Sequence, residues 1–113
     1  EFTQLISDQP LIHVRKLLNH RKKRSALVVK AGECIGLISE TELSKARTDL
    51  QLNSPVKAFM RRDVPSVYPD QGVQEVLKLF GDMEVAMLPV LEKDKIVGAL
   101  TRSDLLLQLY HNF

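Results

Sequence analysis

At 113 residues the chain can bury one respectable core, or two half-cores that complete each other, but cannot carry two full-sized domains. Hydrophobic residues at 44 % and charged residues at 27 % argue against a disordered or fibrous class, and no apolar run reaches the roughly 18 residues of a membrane span. A net charge of +2 is too small to signal nucleic-acid binding by itself, and a single cysteine, Cys34, excludes an internal disulfide.

FTQLI, residues 2–6, predicts a short strand, after which Asp8 stands as a candidate N-cap. Leu11, Val14, Leu17 and Leu18 then recur at helical spacing, predicting an amphipathic helix of about three turns. The basic run HRKKR, residues 20–24, falls at its end, where cations oppose the negative end of the helix dipole. Residues 1–53 carry nine basic and six acidic groups and residues 54–113 seven and eight, so this run holds most of the charge excess. Neither a recognition motif nor interleaved aromatics accompany it, which argues against a nucleic-acid site; steering of an anionic ligand stays open.

ALVV and CIGLI, separated by turn-forming KAGE, read as a β-hairpin, and Cys34 within it as strand filling. A second helix starts near Ser39. Residues 48–63 form a structured linker in which Ser54-Pro55 opens a helix whose apolar face is Val56, Phe59 and Met60.

From residue 64 the pattern starts again. VPSVY predicts a strand, Asp70 an N-cap, and Val73, Val76, Leu77 and Phe80 a helix face; LPVL and IVGAL, separated by EKDK, predict a second hairpin, and a helix starts near Thr101. Sliding the chain by 62 residues aligns 2–43 with 64–105 without a gap. Asp8/Asp70, Gln9/Gln71, Val14/Val76, Lys16/Lys78, Leu17/Leu79, Val28/Val90, Gly36/Gly98 and Leu43/Leu105 are identical. Duplication of one β-α-β-β-α unit explains this. The predicted fold is α+β: a first repeat at 1–47, a linker at 48–63, and a second repeat at 64–113, packed about a pseudo-two-fold axis into one compact module. In the last helix Leu105, Leu106, Leu109 and Tyr110 form one broad stripe with Leu107 outside it, more apolar surface than this core needs, which predicts another chain or domain packing there.

The two units share a glycine, a hydroxyl and a carboxylate: Gly36, Ser39 and Glu42 in GLISETELS, and Gly98, Thr101 and Asp104 in GALTRSDLL. The hydroxyl and carboxylate spacing is that of a capping box, and a helix N-terminus with a free hydroxyl also suits phosphate. Glutamate is the preferred box partner and its longer side chain displaces the carboxylate, so Ser39 and Glu42 favour the cap; Thr101 and Asp104 satisfy both readings. The glycines stand inside strands, where they mark a close backbone approach or a bulge.

This layout, with VKAFMRRDVPSVYPD, MLPVL and GALTRSDLL, resembles the cystathionine-beta-synthase (CBS) domain family over essentially the whole chain, more strongly in the second copy than in the first. The resemblance implies a tandem pair, or Bateman module: a non-catalytic regulatory unit attached to an enzyme, transporter or channel and binding AMP, ADP, ATP or S-adenosylmethionine. It implies that Thr101 contacts phosphate, that Asp104 holds the ribose, that backbone at Met87, Leu88 and Pro89 meets the base, and that Ser66 and Val67 line the same pocket. Arg102 is a candidate phosphate neutraliser, and Ser39 and Glu42 mark a second, degenerate site. The family also implies a homodimer.

No histidine, cysteine and carboxylate spacing resembles a closed metal site, and no nucleophile has an evident base, so neither a metal nor catalysis is expected. A cytoplasmic or cytoplasm-facing location is the default for such a chain, and its opening on Glu1-Phe2 without methionine suggests a piece of a longer protein. The alternative function is a ligand-free structural dimerisation module; nucleic-acid binding through HRKKR is a minor third reading.

Overall fold

A computed structural model describes residues 2–111, with the backbone alone at 110 and 111. They fall into two compact units, residues 2–63 and 64–111.

The first unit begins with β1 (Gln4–Leu5), then α1 (Leu11–Arg21), β2 (Ser25–Lys30), β3 (Glu33–Ser39) and α2 (Glu40–Ser44). The parallel pair β1–β2 and the antiparallel pair β2–β3 make a three-stranded sheet in the order β1-β2-β3. Leu11, Val14 and Leu18 bury one stripe of α1 with Leu5, Ala26, Val28 and Ile38. The linker belongs to this unit. It forms α3 (Asp49–Leu52) and a single 3₁₀ turn at Val56–Ala58, and Val56 and Met60 complete the same core, with Phe59 packed on its rim.

The second unit holds α4 (Val73–Met83), β4 (Met87–Glu92), β5 (Lys95–Thr101) and α5 (Arg102–His111). Its interior includes Val67, Val76, Phe80, Val85, Met87, Leu88 and Leu105. The 62-residue offset holds down to single backbone positions. Leu5 pairs with Val28 as Val67 bridges Val90, and both hairpins slip register at the same place, between Val28 and Val29 and between Val90 and Leu91. Both first helices close on a left-handed residue, Lys22 or Glu84. Both hairpin turns put two residues at positive φ, Ala31-Gly32 and Lys93-Asp94, as type I′ turns require.

Three expectations need correction. Neither Asp8 nor Asp70 caps a helix: the caps are Pro10 and Gly72, and neither makes a side-chain cap bond. The physical reason is the glutamine that follows each aspartate. Gln9 Oε1 accepts from Ile6 N–H at 3.2 Å and Gln71 Oε1 from Tyr68 N–H at 2.8 Å, closing a turn that starts each helix two residues later than an aspartate cap would. Asp8 instead pairs with Lys57 at 3.0 Å, tying this turn to the linker. Secondly, VPSVY forms no strand; among the described residues its only ladder contact is the single bridge at Val67, held by Val67 N–H to Pro89 O at 2.9 Å and Leu91 N–H to Val67 O at 2.8 Å. Thirdly, Val73 is exposed at the first position of α4, although its repeat equivalent Leu11, at the first position of α1, is buried: Leu11 sits against the linker, its N–H on Ser54 O at 3.0 Å.

Candidate functional site

The two glycine, hydroxyl and carboxylate motifs occupy equivalent places and behave differently. Ser39 ends β3 and caps α2: its Oγ accepts from Thr41 N–H at 3.3 Å, while Glu42 Oε1 accepts from Ser39 N–H at 2.7 Å and from Ser39 O–H at 2.5 Å. Glu42 is only 6 % exposed, so its carboxylate is enclosed and committed to the cap. A buried carboxylate needs such donors, and here both come from one residue three positions earlier.

Thr101 ends β5, and its Oγ1 accepts from Asp104 N–H at 3.0 Å, which caps α5 from the hydroxyl side. The reciprocal half of the box is missing. Asp104 is exposed, and its carboxylate accepts no hydrogen bond from any described residue. Aspartate is one methylene shorter than glutamate and does not reach back to the cap amide. The Thr101 hydroxyl keeps its proton to donate, and the first amides of α5 bring the positive end of the helix dipole to the same place.

Around this cap the sheet sets the other candidates in order. Thr101 lies opposite Met87, Leu100 opposite Leu88, and Ala99 opposite Pro89, while Val67 hydrogen-bonds the far side of Pro89. Ser66, Val67, Pro89, Leu88, Met87 and Thr101 therefore follow one another across the second unit. Val67, Met87, Leu88 and Pro89 are buried, and Ser66 and Thr101 half-buried. Arg102 is exposed, with its amide on Ala86 O at 3.0 Å. Residues 20–24 are all exposed, at the end of α1 as their position implies.

Gly36 and Gly98, alike in sequence, mark different surroundings. A Cβ on Gly36 would lie 2.6 Å from Met60 Sδ, 2.9 Å from Met60 Cγ and 3.0 Å from Arg61 O, because the linker runs back along β3. Leu37 N–H donates to Arg61 O at 3.0 Å and Arg61 N–H to Leu37 O at 2.8 Å. A Cβ on Gly98 would meet no described atom within 4 Å. Sequence reasoning left the neighbour of both glycines open and did not foresee this asymmetry. The motif alone carries no signal for it, since the covering strand is 24 residues away from Gly36.

In α5 Leu105 is buried, whereas Leu106 and Leu107 are 47 % and 56 % exposed. The Tyr110 side chain lies outside the described residues. Cys34 is half-buried, its thiol donating to Gly36 O at 3.4 Å; burial, against the influence of that backbone bond, holds its pKa above the ordinary thiol value. Among the described residues no group of histidine, cysteine and carboxylates could hold a metal ion, and no helix is long and apolar enough to cross a membrane.

Two copies of one repeat, the second with a single bridge at Val67 in place of its first strand and both with a hydroxyl-capped helix after the hairpin, define a duplicated α+β module, and comparison with known proteins identifies its family. The CBS-domain family model matches residues 5–49 and 56–111. The chain belongs to the CBS-domain family and is a tandem CBS pair. It is 30 % identical over 92 residues to the uncharacterized protein MJ1232 of Methanocaldococcus jannaschii, and 31 % identical over 90 residues to an A-adding tRNA nucleotidyltransferase of Aquifex aeolicus. Those matches take in 80 % and 79 % of this chain but 30 % and 11 % of the relatives, so the chain spans a minor part of these two proteins.

Among solved structures, the CBS domain protein NE2398 superposes with a TM-score of 0.89 at 23 % identity, over 97 % of this chain and 89 % of that one. CBSX2, solved in complex with AMP, gives a TM-score of 0.86 at 17 % identity, over 99 % and 90 % of the two chains. The CBS domain pair of MJ0100, solved with 5′-methylthioadenosine and S-adenosylmethionine, gives 0.84 at 19 % identity, also over 99 % and 90 %.

Proposed function

We propose that this CBS pair is a non-catalytic regulatory module that senses an adenosine-containing ligand of the AMP, ADP, ATP or S-adenosylmethionine class through its second copy, and biases an enzyme, transporter or channel domain attached to it. The observation that carries the reading is the contrast between Glu42, enclosed in its own cap, and Asp104, exposed and unengaged at the same place in the repeat. An exposed carboxylate one turn into a helix can accept two hydrogen bonds from a ribose diol, while the Thr101 hydroxyl and the α5 amides receive phosphate and Arg102 adds a cation at the rim. Backbone at Met87, Leu88 and Pro89, with Ser66 and Val67 beside it, supplies the base-facing side. Ser39 and Glu42 form the degenerate counterpart. The ligand acts only through a difference in its affinity for two arrangements of the protein. The AMP and S-adenosylmethionine complexes of the similar folds support the ligand class.

Isothermal calorimetry with AMP, ADP, ATP and S-adenosylmethionine tests it. Saturable binding of at least one of them that is lost in Asp104→Ala and retained in Glu42→Gln is the expected result; no binding of any, or unchanged binding in Asp104→Ala, overturns it.

A second reading, a structural homodimerisation module with unused clefts, is favoured by the exposed Leu106 and Leu107. It requires a dimer in sedimentation equilibrium that Leu106→Glu disperses, and a melting temperature that none of the four ligands raises.

A further inference from the structure

The basic run at the end of α1 is not demanded by the fold. Residues 9–32 hold seven Lys and Arg and no Asp or Glu, whereas the other 89 residues hold nine and fourteen. The repeat supplies the control. Residues 71–94, at the 62-residue offset, build the same helix, left-handed cap and hairpin with two Lys and five Asp and Glu, and Asp82 and Glu84 stand where the first copy has His20 and Lys22. Compensation of the helix dipole therefore does not account for the cations, because α4 closes on carboxylates at the same positions. Arg15, Lys16, Arg21, Lys22, Lys23 and Arg24 are all exposed, and among the described residues none of their side chains has an ion pair. Six like charges gathered without a counter-charge repel one another, a cost that an external polyanion relieves.

We infer that this basic segment of the first unit is a docking surface for an anionic lipid bilayer, held by diffuse electrostatic attraction to many headgroups. The surroundings choose among the anions. A nucleic-acid phosphate is gripped by helix N-termini, hydroxyls and amide side chains, with aromatic rings stacking on the bases of single strands. Here the cluster lies at the C-terminal end of α1, which offers carbonyls rather than amides, and residues 13–24 contain no Ser, Thr, Phe, Tyr or Trp. The apolar stripe of α1, Leu11, Val14 and Leu18, is buried in the core, so the helix rests on a surface without inserting into it. A cluster of about four to eight Lys and Arg on one helical segment is what an anionic leaflet attracts, and that attraction needs no ordered grip. The inference goes beyond the nucleotide reading, since it uses neither Thr101 nor Asp104.

The probes are vesicles of phosphatidylcholine, alone or with about one third phosphatidylserine, cosedimented with the 113-residue chain in about 0.1 M salt. The chain sediments with the phosphatidylserine vesicles, stays free of phosphatidylcholine alone, and is released at about 0.5 M salt. Each cation at such a surface strengthens partitioning by about fivefold, so Lys22→Gln/Lys23→Gln/Arg24→Gln weakens it by about 100-fold. Lys45→Gln/Arg47→Gln/Lys95→Gln removes the same charge from other exposed positions and weakens it by less than about fivefold. Both variants change only exposed side chains, and unchanged melting by circular dichroism shows that each still folds. No preference for phosphatidylserine, equal weakening by the two triple variants, release by inorganic phosphate but not by chloride of the same ionic strength, or displacement from the vesicles by a short RNA duplex that binds more tightly would each overturn the proposal, the last by making nucleic acid the partner.

Discussion

Gly36→Ala and Gly98→Ala, the same substitution at repeat-equivalent sites, are expected to move stability in opposite directions. On Gly36 the new methyl lies 2.6 Å from Met60 Sδ and 3.0 Å from Arg61 O. The thioether swings aside at modest cost, but the carbonyl is backbone held by the Leu37 N–H, so β3 and the linker must separate. Overpacking of this kind costs about 1–3 kcal/mol. Against it stands about 0.4–1 kcal/mol from the smaller conformational freedom of the unfolded chain. The net loss is about 1–2 kcal/mol, which for a chain of this length lowers Tm by roughly 3–12 °C. On Gly98 the methyl meets nothing, and only the gain of about 0.4–1 kcal/mol is left. Thermal and urea unfolding followed by circular dichroism read both. The double variant Gly36→Ala/Met60→Ala adds a check, because deleting the thioether removes part of the collision and the two costs should sum to less than their separate values. Equal changes at the two glycines, or a larger loss at Gly98, would refute the reasoning.

Lys22 caps α1 at φ 55, in the left-handed region, so Lys22→Gly should stabilise the protein by about 1 kcal/mol in urea unfolding. Glu42→Ala removes both carboxylate bonds of a buried capping box and should cost about 1–2 kcal/mol, whereas Asp104→Ala, which leaves the Thr101 cap on the Asp104 amide intact, should change stability by less than about 0.5 kcal/mol. Burial raises the Cys34 pKa, so alkylation of the folded protein by iodoacetamide should reach half its maximal rate at a higher pH than in urea. The folded state holds that proton more tightly than the unfolded chain does. The associated stability is therefore complete below the unfolded thiol pKa and is lost as pH rises through the folded value; Cys34→Ala should flatten that alkaline loss.

Much of the fold was legible because the period was. The 62-residue offset read from eight identities reproduces helix ends, hairpin turns and bulges, since each is set by local chemistry that both copies kept. Hairpins were readable from apolar runs around turn residues, and the linker's Pro55, Val56 and Met60 from their order. Misreading began where two local signals compete: Asp8 and Asp70 are good caps in isolation, but Gln9 and Gln71 close the preceding turn first. VPSVY has strand composition, yet a strand exists only where a partner runs beside it, and only Val67 has one. At the candidate site the residue types and their spacing were visible in the chain. What one methylene does was visible only in part: the preference of Glu42 for its cap follows from side-chain length, whereas its burial and the exposure of Asp104 show only in the folded chain.

The linker's place in the first unit means that the stretch of chain that was copied and the stretch that folds as a unit are out of phase. The copied segment ends by residue 43, but the first unit closes only when Val56 and Met60 reach its core and Arg61 reaches β3. A chimera of two such pairs spliced at residue 47 would therefore join one parent's β3 to the other parent's cover strand, mismatching Gly36 and Met60. The same splice moved to residue 63 keeps each strand with the cover it was selected against, and that is where halves of related chains can be exchanged.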